Sequence, residues 1–307
     1  APVQGSVPGT GAIHRAPKDL THALVRGRRC RGARWSAILL PGIGDAWERT
    51  AVALFDLTGR VAIVTGGNGG IGLGIARGFV ECGATVVVSG RDAAKSATAV
   101  QELNALRDGS AIAIECDVTV PEQITQLVEQ TTARLGGLQI LVNNAGIGIR
   151  KRPEEYTLDE YQQVMNTNLT SAFLCCQTAY WKMKAGGGGK IINIGSMASL
   201  FGLPYAPAYA ASKGGIVQMS RALATAWAED NIQVNSILPG WIETNLTAGA
   251  RRFNPDLEAR VVYRTPAGRW GRPEDLAGTA CFLAAPASDF VTGTAIPVDG
   301  GYSIHMP

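Results

Sequence analysis

Histidine is nearly missing from this chain. Its 307 residues hold three, His14, His22 and His305. All lie near the termini, so no histidine between Ala23 and Ile304 is available as a base or a ligand. Ser-His-Asp hydrolysis and His-bearing zinc sites are thereby disfavoured. Cysteine is sparse and unpatterned. The six residues (Cys30, Cys82, Cys116, Cys175, Cys176, Cys281) show no CxxC spacing. Several sit in apolar segments, where a thiol behaves as a small hydrophobe. Neither a disulfide framework nor a metal site is expected, and a reducing cytoplasm fits. Long apolar runs are absent too: none approaches the roughly 18 residues needed to cross a membrane.

Charge is modest, at 17% of residues, and unevenly placed. The first 50 residues hold eight basic side chains against three acidic ones, whereas the remainder holds 20 against 22. The overall balance of +3 therefore belongs to the beginning of the chain. It gives no reason to expect nucleic-acid binding by the rest. Residues 1–53 lack clear periodicity and are rich in Arg, Gly and Pro. They read as a disordered extension, as an Arg-rich presequence, or as an artefact of a start assigned too far upstream.

From Leu54 onward the pattern becomes regular. Apolar strands are expected at Val61–Thr65, Thr85–Val88, Ala111–Cys116, Gln139–Asn143, Lys190–Ile194, Gln233–Leu238 and Ala295–Val298. Between them run helical segments: Ile71–Cys82, Ala93–Leu106, Pro121–Leu135, Leu158–Ala185, Ala208–Glu229 and Pro273–Leu283. Continuous apolar strands alternating with helices indicate a parallel sheet covered on both faces. The expectation is one doubly wound α/β domain over residues 54–307, with no second domain. Trp241–Arg272 reads as a long irregular lid, rich in arginine.

Without histidine, a tyrosine is the natural acid/base. Tyr209 and Lys213 stand four residues apart, on one face of a helix. An ammonium beside a phenol favours the phenolate and lowers a pKa that starts near about 10. Spacing alone is weak, because Tyr180 and Lys184 share it. Tyr180 closes a long amphipathic run and reads as a solvated helix end. Tyr209 follows a strand that ends at Gly195-Ser196.

Thr65–Gly72 places five glycines in eight residues between the first strand and the first helix. Such a loop approaches a pyrophosphate closely, and the helix N-terminus stabilises the anion. The second strand ends Val88-Ser89-Gly90-Arg91. A ligand with a free ribose 2′-hydroxyl calls for an acid near Gly90. None stands there, and Arg91 offers a guanidinium for a 2′-phosphate. This favours NADP(H) and leaves NAD(H) possible; an ordinary loop arginine is the bland alternative. Asp117 either accepts from the adenine amine or caps the next turn.

With the glycine loop, Asn143-Asn144-Ala145-Gly146, Asn168, Ser196, Tyr209 and Lys213 in this order, the chain resembles a short-chain dehydrogenase/reductase of the single-domain type. The resemblance runs from about Leu54 to Tyr302. It implies an oxidoreductase that moves a hydride between NADP(H) and a secondary alcohol or ketone. It implies Tyr209 as the proton carrier, Lys213 lowering its pKa and binding ribose, Ser196 donating to the substrate oxygen, and Asn168 holding a water relay. Asn166 is a nearby decoy. Cofactor contacts are implied at Gly66, Asn68, Gly70, Ile71, Gly72, Arg91, Asp117, Val118, Asn144, Ala145, Gly146, Pro239, Gly240, Ile242 and Thr244, as well as Tyr209 and Lys213. Val298-Asp299-Gly300-Gly301 resembles the end of members that form homotetramers. Gly69 departs from NADP-preferring members, which often carry a basic residue there.

The substrate class is open at this point. Sugar-acid and polyol dehydrogenases and 3-oxoacyl-carrier-protein reductases share the pattern. Arg251 and Arg252 either attract an anionic substrate or are ordinary surface arginines. A non-catalytic nucleotide-binding or redox-sensing protein on the same fold is the alternative from another class.

Overall fold

The computed structural model describes residues 54–306; the expectations for residues 1–53 lie outside them. Seven strands form one parallel sheet: β1 (Val61–Thr65), β2 (Thr85–Gly90), β3 (Ala111–Glu115), β4 (Ile140–Asn143), β5 (Gly189–Ile194), β6 (Ile232–Pro239) and β7 (Ala295–Val298). Their order is β3-β2-β1-β4-β5-β6-β7. Strand β1 pairs with β2 on one side (Val64 with Val88) and with β4 on the other (Val64 with Val142). The direction of winding therefore reverses at β1, which opens a crevice at the carboxyl ends of β1 and β4.

Helices cover both faces. They are α1 (Gly70–Glu81), α2 (Ala93–Leu106), α3 (Pro121–Leu135), α4 (Leu158–Met165), α5 (Ser171–Ala185), α6 (Pro207–Trp227), α7 (Asn245–Phe253), α8 (Leu257–Arg264) and α9 (Ala277–Ala284). Alternation along each strand splits the core in two. Ala62, Val64, Val86 and Val88 pack under Ile75 and Phe79 of α1 and Leu283 of α9. Ile63, Val87 and Leu141 face Leu127 of α3 and Met183 of α5 on the other side. Burying each such large side chain stabilises the fold by about 1.5–3 kcal/mol.

Two expectations change. The run from Leu158 to Ala185 is not one helix, because Asn166–Thr170 adopt a π-helical turn between α4 and α5. The segment after β6 is not irregular, since it holds α7 and α8. Thr244 begins α7 with a reciprocal cap: its hydroxyl accepts from Thr247 N at 3.3 Å, and Thr247 Oγ1 accepts from Thr244 N at 2.9 Å. That signal was present in the sequence as a Thr-x-x-Thr spacing. Among the described residues no helix is long and apolar enough to cross a membrane, and no group of His, Cys, Asp and Glu is placed to hold a metal ion.

Candidate active site

The carboxyl ends of the central strands carry the polar residues that the core cannot hold. Thr65, the last residue of β1, accepts from Asn144 N at 3.0 Å and from Ala145 N at 3.1 Å through its hydroxyl. Asn144 Nδ2 returns a bond to Thr65 O at 2.9 Å. The glycine loop and the segment after β4 are thus clamped together. Gly66 has φ 63°, a left-handed backbone that L side chains adopt only with strain. A Cβ on Gly72 would meet Asn144 Nδ2 at 2.5 Å and press on Gly66 O. The loop is bare backbone because it is packed as closely as backbone allows.

Beside it lies a cavity of about 290 Å³. From the loop it is lined by Gly66, Gly70 and Ile71, and from the β4 end by Asn144, Ala145 and Gly146. Ser196, Tyr209 and Lys213 form its inner wall. Pro239, Gly240, Ile242 and Thr244 close it from the β6 side. A second cavity of about 450 Å³ shares Ser196, Tyr209 and Gly240 with the first and runs under α7 and α8.

Other expected residues stand outside these walls. Gly72 is buried behind the loop. Asn68 donates to Ser96 Oγ at 3.0 Å, tying the loop to α2. Val118 packs with Ile114, Cys116 and Ile124, so its side chain belongs to the core rather than to a ligand wall. Asp117 accepts from Thr119 N at 2.9 Å and from the Thr119 hydroxyl at 2.7 Å, which is the turn-capping alternative. These bonds, the backbone one first, hold its carboxyl below the usual range. Its other oxygen lies 3.8 Å from Arg91.

Asn168, 2% exposed, sits in the π-helical turn. Its Nδ2 donates to Ile147 O at 2.9 Å and to Ser212 Oγ at 3.1 Å, and its Oδ1 accepts from Ile147 N at 2.8 Å. A π bulge turns a side chain out of helical register and often marks a functional position. Asn166 instead makes a long exposed contact of 3.5 Å with Thr170. The two asparagines therefore differ in kind: Asn168 braces the backbone behind Gly146, and Asn166 does not.

Ser196 opens a short turn, with its hydroxyl accepting from Ala198 N at 3.1 Å. Tyr209 lies in the first turn of α6, and Lys213 follows one turn later. Lys213 Nζ donates to Ile194 O at 2.7 Å and lies 5.8 Å from the centroid of the Tyr209 ring. Burial lowers the Lys213 ammonium to about 8. Opposing effects act on the phenol. Burial raises Tyr209 above its ordinary value, while the Ser196 hydroxyl and the charge of Arg150 act to lower it. Arg150 stands beyond β4 and lines the larger cavity with Tyr209. Burial depresses Arg150 itself, and the Tyr209 and Tyr156 phenols counter this.

The Tyr180–Lys184 pair also departs from its reading. Tyr180 donates to Asp230 Oδ2 at 2.7 Å, Lys184 donates to Tyr180 Oη at 3.1 Å, and the ring stacks on Trp227 at 4.8 Å. The pair ties α5 to the end of α6, so it is a packed structural contact rather than a solvated face.

Three basic residues were misread or missed. Lys95, in the first turn of α2, lines the smaller cavity. Its Nζ lies 2.7 Å from where a Cβ on Gly69 would stand. Nothing in sequence distance linked it to the loop, 26 residues earlier. Arg150 and Arg264 line the larger cavity, whereas Arg251 and Arg252 do not. Arg251 is instead paired with Glu243 at 3.5 Å and Glu258 at 2.7 Å, and it stacks on Trp270 at 3.9 Å.

Comparison with known proteins fits this arrangement. A family model described as enoyl-(acyl carrier protein) reductase matches residues 66–303. A 2-dehydro-3-deoxy-D-gluconate 5-dehydrogenase of Dickeya dadantii is 41% identical over 253 residues, covering 81% of this chain and 97% of that one. The enzyme of the same description from Escherichia coli is 39% identical over 252 residues, covering 82% and 98%. The crystal structure of a gluconate 5-dehydrogenase from Burkholderia cenocepacia, in complex with NADP and tartrate, superposes with a TM-score of 0.79. It is 38% identical and covers 83% of this chain and 100% of that one. By sequence and by structure the chain belongs to the short-chain dehydrogenase/reductase family, the oxidoreductases of CH–OH groups.

Proposed function

We propose that residues 54–307 form an NADP(H)-dependent dehydrogenase that interconverts a secondary alcohol and a ketone on an anionic substrate of the sugar-acid kind. One observation carries the anionic character. The larger cavity, which opens on Ser196 and Tyr209, is lined by Arg150, Arg260 and Arg264, and by no acidic side chain among the described residues. Gluconate and 2-dehydro-3-deoxy-D-gluconate dehydrogenases among the relatives support the same substrate class. They favour it over a 3-oxoacyl carrier protein and over a non-catalytic role.

The glycine-loop cavity fits a dinucleotide phosphate. Its floor is the close-packed loop at the amino end of α1, which suits a pyrophosphate. The end of β2 suits a 2′-phosphate. Gly90 carries no carboxylate there, and Arg91 follows it with a guanidinium exposed to solvent. NADP bound to the structural relative supports the same preference. When bound, this group supplies or accepts the hydride. The chain's own residues do the rest. Tyr209 exchanges a proton with the substrate oxygen, and Ser196 Oγ donates a hydrogen bond to the same oxygen. Lys213 meets the ribose and keeps a positive charge near the phenol. Asn168 holds the Gly146–Ile147 backbone in place beside them.

A homotetramer is part of the same proposal, supported by the exposed aromatic side chains Phe173, Trp181 and Phe290. A cytoplasmic location is supported by five free thiols among the described residues.

The direct test follows NADPH absorbance with 5-keto-sugar acids and with neutral ketoses. The acids should be reduced, with kcat/KM above the ketoses by about tenfold or more, the scale of one charge-assisted contact. Turnover of an acetoacetyl thioester with none of the keto acids would replace this reading with the carrier-linked one.

Cofactor choice yields a second expectation. Arg91 is 71% exposed and already faces Asp117, whereas Lys95 stands over Gly69 without an ion pair to any described residue. Exposed charges are discounted by solvent, to about 1 kcal/mol each. Lys95→Ala and Arg91→Ala should each raise KM for NADPH about fivefold. KM for NADH should stay within twofold. Calorimetry with 2′,5′-ADP should show the same loss, and 5′-ADP should show none. Equal loss for both nucleotides would remove Lys95 from the 2′-phosphate.

A further inference from the structure

Arginine is abundant in the segment after β6, at positions 251, 252, 260, 264, 269 and 272, and two of these side chains are held in ion pairs. Arg251 is held by Glu243 and Glu258, and Arg269 by Asp275 at 2.6 Å. Arg264 differs. It ends α8 and takes part in none of the ion pairs formed among the described residues. A cation at a helix C-terminus is favourable in itself, but that effect needs no fixed side chain. The Arg264 guanidinium lies against two aromatic rings. Its Cζ lies 4.4 Å from the centroid of Tyr302 and 5.4 Å from that of Phe201. Its Nε is buried and has no hydrogen-bond partner. All three residues line the cavity that Ser196 and Tyr209 enter.

Two aromatic faces can hold a guanidinium by its plane and leave the N–H edge free. That edge matches a carboxylate in two parallel bonds. Arg150 lines the same cavity, but its charge acts on the Tyr209 phenol. Arg260 is exposed.

We propose that Arg264, held between Phe201 and Tyr302, receives the carboxylate of the substrate and so selects acids over neutral ketoses. The inference rests on the reading of the cavity as an anionic-substrate site. It assigns Arg264 a role in specificity and none in proton transfer.

The test compares the full chain with Arg264→Met and Arg264→Lys. Each is assayed with a 5-keto-sugar acid and with the neutral ketose of the same carbon skeleton. Methionine keeps a long side chain between the rings and removes the charge; lysine keeps the charge and removes the fork. Arg264→Met should raise KM for the acid about 30-fold, with kcat within threefold and an unchanged pH profile. Its kinetics with the ketose should not move. Arg264→Lys should recover part of the loss. Binding of 2′,5′-ADP, equal in all three proteins, reports an intact fold. Equal losses on acid and ketose would make Arg264 structural and overturn the assignment. An unimpaired Arg264→Met with a retained preference for the acid would move the carboxylate to Arg150 or Arg260, leaving the substrate class intact. A wild-type enzyme that does not prefer the acid would overturn the substrate class and the assignment together.

Discussion

Tyr209→Phe is expected to lower kcat by about a thousandfold, within the range that a positioned acid/base supplies. The substitution removes one oxygen and leaves the ring in the first turn of α6. Nothing else on the cavity wall can replace that oxygen. The Ser196 hydroxyl has no base beside it, Lys213 Nζ is committed to Ile194 O, and no histidine lies between Ala23 and Ile304. Binding of 2′,5′-ADP should stay within twofold, because the substitution removes one oxygen and leaves the glycine loop and its bonds to Asn144 untouched. Turnover within tenfold of wild type would show that another group carries the proton. The raised phenol sets a further condition. Burial acts to raise the Tyr209 phenol, and the charge of Arg150 acts to lower it. Arg150→Met should therefore move the alkaline limb of the pH profile upward, by an amount that Arg264→Met does not reproduce.

Lys213→Met should reduce kcat/KM by two to three orders of magnitude, about 3–4 kcal/mol in the transition state. It should also change the pH dependence of stability in a defined direction. Lys213 is 5% exposed, and burial lowers it to about 8, while a lysine in the unfolded chain titrates near about 10.4. Between those values the unfolded chain holds a proton that the folded chain has released. Wild-type stability contributed by this group therefore rises with pH through that window. Below about pH 8 the folded protein carries a buried ammonium at a penalty on the order of 3 kcal/mol. Methionine removes that penalty and also removes the bond to Ile194 O, which offsets part of the gain. In urea titrations the difference in stability, variant minus wild type, should fall as pH rises from about 7 to 10. A constant difference would mean that Lys213 is not depressed in the folded state. A destabilised but charge-bearing lysine at the centre of the site is the kind of strain that function retains.

How far these residues could be read in advance depended on how local their signals are. The strand at Val61–Thr65 was legible because a buried parallel strand needs an unbroken apolar run. The glycine loop was legible because close packing against Asn144 admits only bare backbone. Tyr209, Lys213, Ser196 and Asn168 were legible as an ordered set of residue types. The helices α7 and α8 were not, because their polar faces and arginines masked a capped start at Thr244. Lys95 and Arg264 were not, because each matters through a neighbour far along the chain.

The sequence alone determined the order of the strands, the absence of a histidine between Ala23 and Ile304, and the residue types that the proposed proton transfer calls on. Apolar periodicity and residue chemistry are properties of short segments, and they survive without knowledge of neighbours. The tertiary structure decided which charges are spent and which are free. Arg251 lies near Glu243 and Glu258, Arg264 lies against Phe201 and Tyr302, and Arg150 lines the same cavity as Tyr209. Electrostatic effect depends on distance and burial in space. Those quantities exist only once the helices after β6 have folded over the end of the sheet.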